Sequence, residues 1–367
     1  MKKTYTLAFI IALVLGPISF WGGFKLTQAV DTKLISRNKK VVIETSNQEA
    51  KNVYVAQNIT ENIPENNINP TKTDEIENES LETTEPENNE KPNIIEDNNS
   101  KFSFVIIGDT QGFNPGNPNG SFQKAVSNIN KNNVDLVFAL GDLISSCEGG
   151  NKCRDKLISW KNTVGPLFSK TYVMQGNHDR IGRDEADKVW ADFFNMPING
   201  PDGYKEFAYS LDFANSHFVV LNSDKPKEFM INSTQRSWLE QDLARNKKEN
   251  TFVFFHEPAY PVSNKIGEGL DTHPKERNEL WNILIRHKVT AVFSGHEHIQ
   301  SRKNANGIYQ FIFGNTDTFL HDLPKAGMAE YCQRVQGFGI VEVDGKKITV
   351  KTYSVDGNLL DNFILSK

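Results

Sequence analysis

The chain has 367 residues, 24% of them charged, and a formal net charge of −5 at pH 7. The charges are unevenly distributed: residues 1–40 contain seven Lys or Arg against one Asp, whereas residues 41–100 contain three Lys against fourteen Asp or Glu. Residues 101–367 are therefore close to neutral, which excludes the basic field that binds nucleic acid through counterion release. We expect no nucleic-acid-binding surface.

The first 30 residues are predicted to direct the chain to a membrane. The run from Leu7 to Phe24 carries no charge, and its 18 residues just reach the length of a membrane-spanning helix. We predict that residues 1–30 are a signal anchor, with one membrane-spanning segment and a globular domain outside the cytoplasm. A cleaved signal peptide with a secreted product is the alternative, because Thr27-Gln28-Ala29 resembles a cleavage site.

Residues 31–100 are predicted to form a disordered, polar and acidic stalk. The segment is rich in Asn, Glu, Thr and Ser, so it has too little apolar surface to offset the entropy of ordering. Residues 101–367 have the composition of a globular domain, and their number is close to the size at which one hydrophobic core stops growing. We predict one large domain there, and no sequence feature indicates its oligomeric state.

Strands and helices alternate along this domain. Apolar, β-favouring runs predict strands at 102–107, 134–140, 171–174, 217–221, 251–255 and 289–293. Helical spacing of apolar residues predicts helices at 121–131, 233–245 and 275–287. Residues 308–313 and 338–365 are rich in strand formers, and Asp344-Gly345 and Asp356-Gly357 predict hairpin turns. The predicted class is α/β, with mixed sheets packed together and covered by helices.

Polar residues directly follow five of these strands. Ligands gather at the carboxyl ends of strands in α/β sheets, and four of the loops have a Gly just before the polar residues, where the backbone must turn without a side chain in the way. Four of the chain's eight histidines fall in the five loops. The loops are Gly108-Asp109-Thr110-Gln111, Gly141-Asp142, Gly176-Asn177-His178-Asp179, Phe255-His256-Glu257-Pro258 and Gly295-His296-Glu297-His298.

The residue types in these loops are those that bind metals. Carboxylates, amide oxygens and imidazoles together suit manganese, iron or zinc, whereas calcium takes more oxygen ligands. Two ions that share one carboxylate would provide a hydroxide nucleophile at neutral pH and clamp the oxygens of an in-line displacement at phosphorus. The pattern therefore favours a hydrolase of phosphate esters that uses two divalent or transition metal ions.

Together the loops resemble the signature of the calcineurin-like metallophosphoesterases: Asp-x-His, Gly-Asp, Gly-Asn-His-Asp/Glu, a lone His after a strand, and Gly-His-x-His. The resemblance covers residues 101–357 and implies a four-layer α/β/β/α sandwich that hydrolyses phosphoric mono- or diesters. It also implies that His178 is catalytic, stabilising the phosphoryl oxygens and protonating the leaving group, and Asp179 is a candidate to orient its ring. One metal would be held by Asp109, Gln111, Asp142 and His298, with Asp142 as the bridge, and the other by Asn177, His256 and His296.

The first loop departs from the family pattern, because Gln111 stands where the commonest form of the family has His. Its amide oxygen is a neutral, harder and weaker ligand than imidazole, so we expect a weaker first site or one that prefers manganese or magnesium. Glu257 and Glu297 either bond to an imidazole or face solvent. Of the other histidines, His217 and His287 are expected to be structural, whereas His273 and His321 lie in polar loops that could border the site.

Three cysteines are present. In an oxidising compartment Cys147 and Cys153 are placed to close a small disulfide and leave Cys332 unpaired; three free thiols are the alternative. The leaving group is expected to be chosen by irregular loops at 113–120, 145–154 and 261–274. A catalytically silent, metal-containing binding module at the cell surface is the alternative function, against which an intact His178 argues.

Overall fold

The structure, a computed structural model, describes residues 32–37, 40–45, 101–117, 119–323 and 327–365. Within these ranges no helix is both long and apolar enough to cross a membrane, and the predicted membrane segment from Leu7 to Phe24 lies outside them. The chain divides into two compact units, residues 1–86 and 87–367.

The described residues of the first unit form an antiparallel strand pair, β1 (Thr32–Arg37) and β2 (Lys40–Thr45). This pair falls in the segment predicted to be a stalk. The remaining stalk residues up to residue 100 lie outside the described ranges. The predicted domain limits therefore stay a prediction.

The second unit is built on two mixed β-sheets. Its strands are β3 (Lys101–Ile107), β4 (Leu136–Ala139), β5 (Thr171–Val173), β6 (Tyr209–Phe213), β7 (Ser216–Val220), β8 (Asn250–Phe254), β9 (Ala291–Ser294), β10 (Gln300–Ala305), β11 (Ile308–Phe313), β12 (Tyr331–Gln333), β13 (Gly337–Asp344), β14 (Lys347–Ser354) and β15 (Leu359–Leu365). One sheet has the order β15-β14-β13-β3-β4-β5, and the other has the order β12-β10-β11-β9-β8-β7-β6. Parallel pairs lie at the middle of the seven-stranded sheet, such as β8 with β9, and toward the β5 edge of the six-stranded sheet, such as β3 with β4.

Helices cover the outer face of each sheet. They are α1 (Ser121–Ile129), α2 (Gly150–Val164), α3 (Asp184–Phe193), α4 (Ser233–Arg245) and α5 (Pro274–Arg286). The buried side chains of α1, α2 and α3 pack on the six-stranded sheet, and those of α4 and α5 pack on the seven-stranded sheet. This arrangement confirms the predicted fold class, a four-layer α/β/β/α sandwich.

Strand β3 illustrates how the sequence places the core. Phe102, Phe104 and Ile106 face the other sheet, whereas Val105 between them faces the helices, as the two-residue period of a strand requires. The Phe104 ring meets Phe252 of the opposite sheet edge to face, with ring centroids 5.1 Å apart. Burial of one Phe side chain contributes about 1.5–3 kcal/mol to stability. The layer of aromatic side chains therefore holds the two sheets together and fixes the positions of their strand ends.

Two helices were not predicted. Residues 145–154 were expected to form an irregular loop, but α2 begins within them, at residue 150. Cys153, Leu157, Trp160 and Val164 form a buried stripe at helical spacing along α2, which explains why this segment is a helix. Helix α3 buries a similar but shorter stripe.

His217 on β7 gives the fold a pH dependence. Its buried ring lies between two carboxylates, with Nδ1 2.7 Å from Asp212 Oδ1 and Nε2 2.8 Å from Asp242 Oδ2. Burial acts to lower the pKa of His217, but the hydrogen bonds to Asp212 and Asp242 outweigh it and raise the pKa to about 9. Since the folded pKa lies above the unfolded value of about 6.5, these contacts contribute fully below that value and are lost as the pH rises through about 9.

We expect the free energy of unfolding of the wild type, relative to His217→Gln, to fall by roughly 2 kcal/mol as the pH rises from about 6 to about 9.5. Denaturant unfolding at a series of pH values measures this difference. His287→Gln is the matched control. It also removes a histidine ring that contacts a carboxylate, that of Glu240, but this ring lies at the end of α5. Parallel curves for the wild type and His217→Gln would contradict the prediction.

Candidate metal centre

The five predicted loops meet at one end of the two sheets. They follow β3, β4, β5, β8 and β9, and backbone hydrogen bonds join them to one another. The Asp109 N–H donates to the Gly141 carbonyl oxygen at 3.1 Å, and the Gly295 N–H donates to the His256 carbonyl oxygen at 2.9 Å. Asp109 and His296, 187 positions apart in the chain, are in contact here. This agrees with the expectation that ligand-binding loops gather at the carboxyl ends of the strands.

The side chains of these loops form two buried groups that could each hold a metal ion. Asp109, Asp142 and His298 make one group, and the second contains His256 and His296 together with Glu257. In each group the candidate ligand atoms lie within 4.8 Å of one another. Asp109, Asp142 and His298 come from the first predicted ligand set and His256 and His296 from the second, whereas Glu257 was not predicted as a ligand.

Asp142, a member of the first group, also lies next to the second. Its Oδ2 atom is 3.3 Å from Gln111 Nε2 on one side and 3.4 Å from His256 Nε2 on the other. Gln111 Nε2 also lies 3.4 Å from His298 Nε2, which places the Gln111 amide in the first group. Asp142 is therefore within reach of residues of both predicted ligand sets, and its bridging role stays a prediction.

Asn177 joins the second group through its amide oxygen. Asn177 Oδ1 is 3.3 Å from His256 Nε2 and 3.1 Å from His296 Nδ1. His256 Nδ1 is 2.7 Å from the Leu140 carbonyl oxygen, which can only accept, so Nδ1 carries a proton and Nε2 is the nitrogen that faces the site. All seven residues predicted to hold metals are thus brought together, and their roles as ligands stay a prediction: Asp109, Gln111, Asp142, Asn177, His256, His296 and His298.

The donor atoms fit a pair of cations. Gln111 Oε1 and His296 Nε2 are buried side-chain atoms without a hydrogen-bond partner. A buried polar atom left unpaired costs about 1–3 kcal/mol, and a cation coordinated by these atoms would remove that cost. The mixture of carboxylate, amide and imidazole suits manganese, iron or zinc.

The backbone at this site is held in conformations that residues other than glycine rarely adopt. Asp109, Asp142 and His296 have φ values of 52°, 50° and 66°. Such strain persists only where the surroundings enforce it, and it concentrates at functional sites. The glycines have a matching role: a Cβ at Gly176 would lie 2.3 Å from Asp142 Oδ1, and one at Gly295 would lie 2.5 Å from Asp109 Oδ2.

Burial holds two of the histidines in the neutral state that binds metal, whereas it raises the pKa of Asp109 well above its usual value. Burial lowers the pKa of His298 to about 4 and holds the pKa of His296 well below its usual value, so both rings are neutral at pH 7 and keep a lone pair for a ligand. Burial acts to raise the pKa of Asp142, but the charge and hydrogen bond of His256 outweigh it and lower that pKa. Conversely, Asp142 raises the pKa of His256 against the effect of burial. A bound cation would replace the proton that this pair holds.

His178, predicted to be catalytic, lies beside the two groups. Its backbone N–H donates to Asp142 Oδ1 at 2.8 Å, and its ring Nε2 is 4.0 Å from Asp142 Oδ2. The side chain is 37% exposed, unlike the buried side chains of the two groups, so a bound substrate can reach the ring. The predicted role of His178 stays a prediction that this position fits.

Asp179 does not orient the His178 ring, which corrects the interpretation drawn from the sequence. Its buried carboxylate accepts hydrogen bonds from the backbone N–H groups of Leu143, Ile144 and Gly176. Asp179 therefore ties the loop after β4 to the loop after β5. The reason is burial, which raises the pKa of Asp179 to about 8: a carboxyl group away from water needs hydrogen-bond donors, and backbone amides supply them.

Three side chains near the site were assigned no definite role from the sequence. Glu257, fully buried, belongs to the second group, and Ser223 donates a hydrogen bond to its carboxylate. Glu297 is also buried and accepts from backbone N–H groups rather than from an imidazole. His321 accepts a hydrogen bond from the His298 N–H at 3.0 Å and stacks on the His298 ring with centroids 4.0 Å apart. The position of Glu257 directly after His256 could have indicated its place at the site, whereas His321 has no motif around it.

Cys147 and Cys153 form a disulfide, and Cys332 is free and half-buried. The pairing confirms the first of the two alternatives drawn from the sequence. It also ties the loop after β4 to helix α2.

Two mixed sheets between helices, with metal-binding residue types gathered at their strand ends, define the fold and site of a metallophosphoesterase. The chain belongs to the calcineurin-like phosphoesterase family, whose model matches residues 102–300. It is 25% identical over 301 residues to tartrate-resistant acid phosphatase type 5 of Sus scrofa, covering 70% of this chain and 84% of that protein. It is 31% identical over 186 residues to purple acid phosphatase 22 of Arabidopsis thaliana, covering 48% of this chain and 41% of that protein.

Among solved structures, the purple acid phosphatase PPD1 from yellow lupin (Lupinus luteus) seeds is similar, with a TM-score of 0.62 and 18% identity. The match covers 73% of this chain and 54% of the lupin chain, so this protein spans about half the length of that one. The comparisons confirm the predicted family, fold and class of enzyme, a phosphoesterase. They do not favour the alternative of a silent binding module.

The replacement Gln111→His is expected to change the metal preference of the first group. An imidazole is a softer and stronger ligand than an amide oxygen, so zinc or iron should gain occupancy relative to manganese. Competition of the three metals for the purified protein, followed by elemental analysis, measures the change. Gln123→His, a replacement on α1, is the matched control and should leave the preference unaltered. Equal occupancy and preference in wild type and Gln111→His would show that Gln111 is not a ligand.

Proposed function

We propose that this protein hydrolyses phosphoric monoesters at a centre of two metal ions. The observation that carries the proposal is the position of Asp142, whose Oδ2 atom lies 3.3 Å from Gln111 in one group and 3.4 Å from His256 in the other. A carboxylate in that place can serve both ions at once, and two adjacent ions suit an in-line displacement at phosphorus.

The proposed ligands fall into two sets that share Asp142. One ion would be held by Asp109, Gln111 and His298, and the other by Asn177, His256 and His296, each set being completed by Asp142. The identity of the metals is proposed to be manganese, iron or zinc, on the basis of the mixed oxygen and nitrogen donors.

When bound, the metal pair supplies Lewis-acid charge for the phosphoryl oxygens and a hydroxide nucleophile at neutral pH. The remaining steps belong to side chains of this chain. His178, protonated at Nε2, donates a hydrogen bond to a phosphoryl oxygen and then transfers the proton to the leaving oxygen. The loop that carries His178 is held in place by the hydrogen bond from the Gly176 N–H to the Asp179 carboxyl group and by the close approach of Gly176 to Asp142.

Monoesters are proposed as substrates because the relatives named above are called acid phosphatases. Rates on p-nitrophenyl phosphate and on bis(p-nitrophenyl) phosphate, with manganese, iron and zinc supplied in turn, test the proposal. We expect turnover of the monoester with a larger kcat/KM than the diester. Turnover of neither ester by metal-loaded protein would contradict the proposed activity, and faster turnover of the diester would contradict the proposed substrate class.

We further propose that the catalytic domain lies outside the cytoplasm, anchored to the cell membrane by residues 1–30. The Cys147–Cys153 disulfide supports this location, because such bonds persist in oxidising compartments. Protease added to intact cells should digest the domain, whereas protection from protease would contradict the proposed location. Release of a shortened chain into the medium would instead support the cleaved signal peptide.

A further inference from the structure

A backbone carbonyl, rather than an acidic side chain, sets the direction of the His178 ring. His178 Nδ1 lies 3.1 Å from the Ser145 carbonyl oxygen. Because a carbonyl oxygen only accepts, Nδ1 carries the proton of this hydrogen bond, and Nε2 is directed toward the metal site, 4.0 Å from Asp142 Oδ2. The direction of Nε2 therefore depends on the position of Ser145.

Ser145 is an exposed residue between two fixed points of the chain. On one side the N–H of Ile144 donates to the buried Asp179 carboxylate at 3.2 Å. On the other side Cys147 is bonded to Cys153, and both sulfur-bearing side chains are buried in the core beneath α2. Removing the second fixed point would leave Ser145 attached firmly at one end only.

Lys156 holds the same stretch from the side. It lies on α2, one turn beyond Cys153, so the two side chains share a face of the helix. Lys156 Nζ is 2.9 Å from the Ser146 carbonyl oxygen and 2.8 Å from Ser146 Oγ. It also lies 3.4 Å from Ser145 Oγ. Helix α2 thus fixes this loop through a covalent bond and through a cation.

We propose that the Cys147–Cys153 disulfide and Lys156 position His178 for transfer of its proton to the leaving group. They act through the Ser145 carbonyl oxygen and do not themselves touch the substrate. This inference rests on the proposed function, because it assigns the loop a part in the same hydrolytic step. A displacement of about 1 Å at a reacting group can lower a rate by about 10²-fold, so the hold on Ser145 matters for the rate.

The proton matters more when the leaving group is more basic, and this provides a specific readout. Phenolate is a stronger base than p-nitrophenolate, so hydrolysis of phenyl phosphate needs the His178 proton more than hydrolysis of p-nitrophenyl phosphate does. A loop that only stabilises the fold would affect both esters equally. A loop that orients His178 would affect phenyl phosphate more.

The experiment compares kcat and KM of the full chain on the two esters for Cys147→Ser/Cys153→Ser and for Lys156→Met. We expect kcat for phenyl phosphate to fall about 10-fold and kcat for p-nitrophenyl phosphate about 2-fold. KM and metal content should stay within about 2-fold of the wild type. His178→Ala should also lower kcat for both esters, and by more than these variants do. Cys332→Ser and Lys152→Met, the latter an exposed lysine on the same helix, are the matched controls and should behave as the wild type.

Equal losses on both esters, or no loss on either, would overturn the proposal. If Cys147→Ser/Cys153→Ser fails to fold, the ratio of the two rates in Lys156→Met against Lys152→Met decides. A wild-type protein that turns over neither ester, with metals bound, is a different result, because it contradicts the proposed function itself.

Discussion

Replacement of Asp142 by Asn is expected to lower kcat/KM for p-nitrophenyl phosphate by at least about 10³-fold. The change keeps the shape of the side chain but removes a negative charge that lies 3.3 Å from Gln111 in one group and 3.4 Å from His256 in the other. The amide oxygen can still accept the hydrogen bond from the His178 N–H, so the loop should keep its place. The loss should therefore come with reduced binding of metal and with an intact fold.

Initial rates and elemental analysis of the same preparation measure both effects. Asp155→Asn, which removes an exposed carboxylate from α2, is the matched control and should retain activity and metal. Wild-type activity and metal content in Asp142→Asn would show that this carboxylate does not bridge two ions.

His178→Ala is expected to lower kcat for the same ester by about 10²–10³-fold while metal content stays at the wild-type value. The ring is the group proposed to protonate the leaving oxygen, and its contact with the Ser145 carbonyl oxygen lies away from both groups. The two replacements are thus distinguished by their effect on metal: Asp142→Asn loses it and His178→Ala keeps it.

His287→Ala is the control for His178→Ala, because it removes a half-buried imidazole at the end of α5. Its kcat should match the wild type. Activity of His178→Ala within a few-fold of the wild type would show that the proton comes from another group.

The parts of the fold that could be predicted from the sequence are those with simple periodicity. Helix α4 has the predicted limits, and β11 coincides with the predicted strand at residues 308–313. The hairpin turns at Asp344-Gly345 and Asp356-Gly357 join β13 to β14 and β14 to β15, as predicted. In each case a local signal and the tertiary structure agree.

The elements that were missed have conflicting local signals. Helix α2 begins after Gly149 and consists mostly of polar residues. Its stripe of four buried side chains was therefore not recognised in the sequence. Strand β10 has the sequence Gln-Ser-Arg-Lys-Asn-Ala, which contains few strand formers, and it becomes a strand because it pairs with β11 and β12. Such pairing is a tertiary effect that propensity does not report.

The candidate site was more predictable than the fold around it. Its residues lie in short motifs at strand ends, and the topology of parallel strands brings such ends together. The contacts of Asp179 and the place of His321 could not be predicted, because each depends on where backbone amides of distant loops lie. Sequence spacing carries no information about those amides.

The metal content of the folded, purified chain tests the central claim most directly. After manganese, iron and zinc are offered, and with circular dichroism confirming the fold of the same sample, we expect about two ions per chain in the wild type. We also expect about two in His178→Ala and fewer in Asp142→Asn. A folded wild-type protein that takes up no transition metal would contradict the claim that these loops form a dinuclear centre.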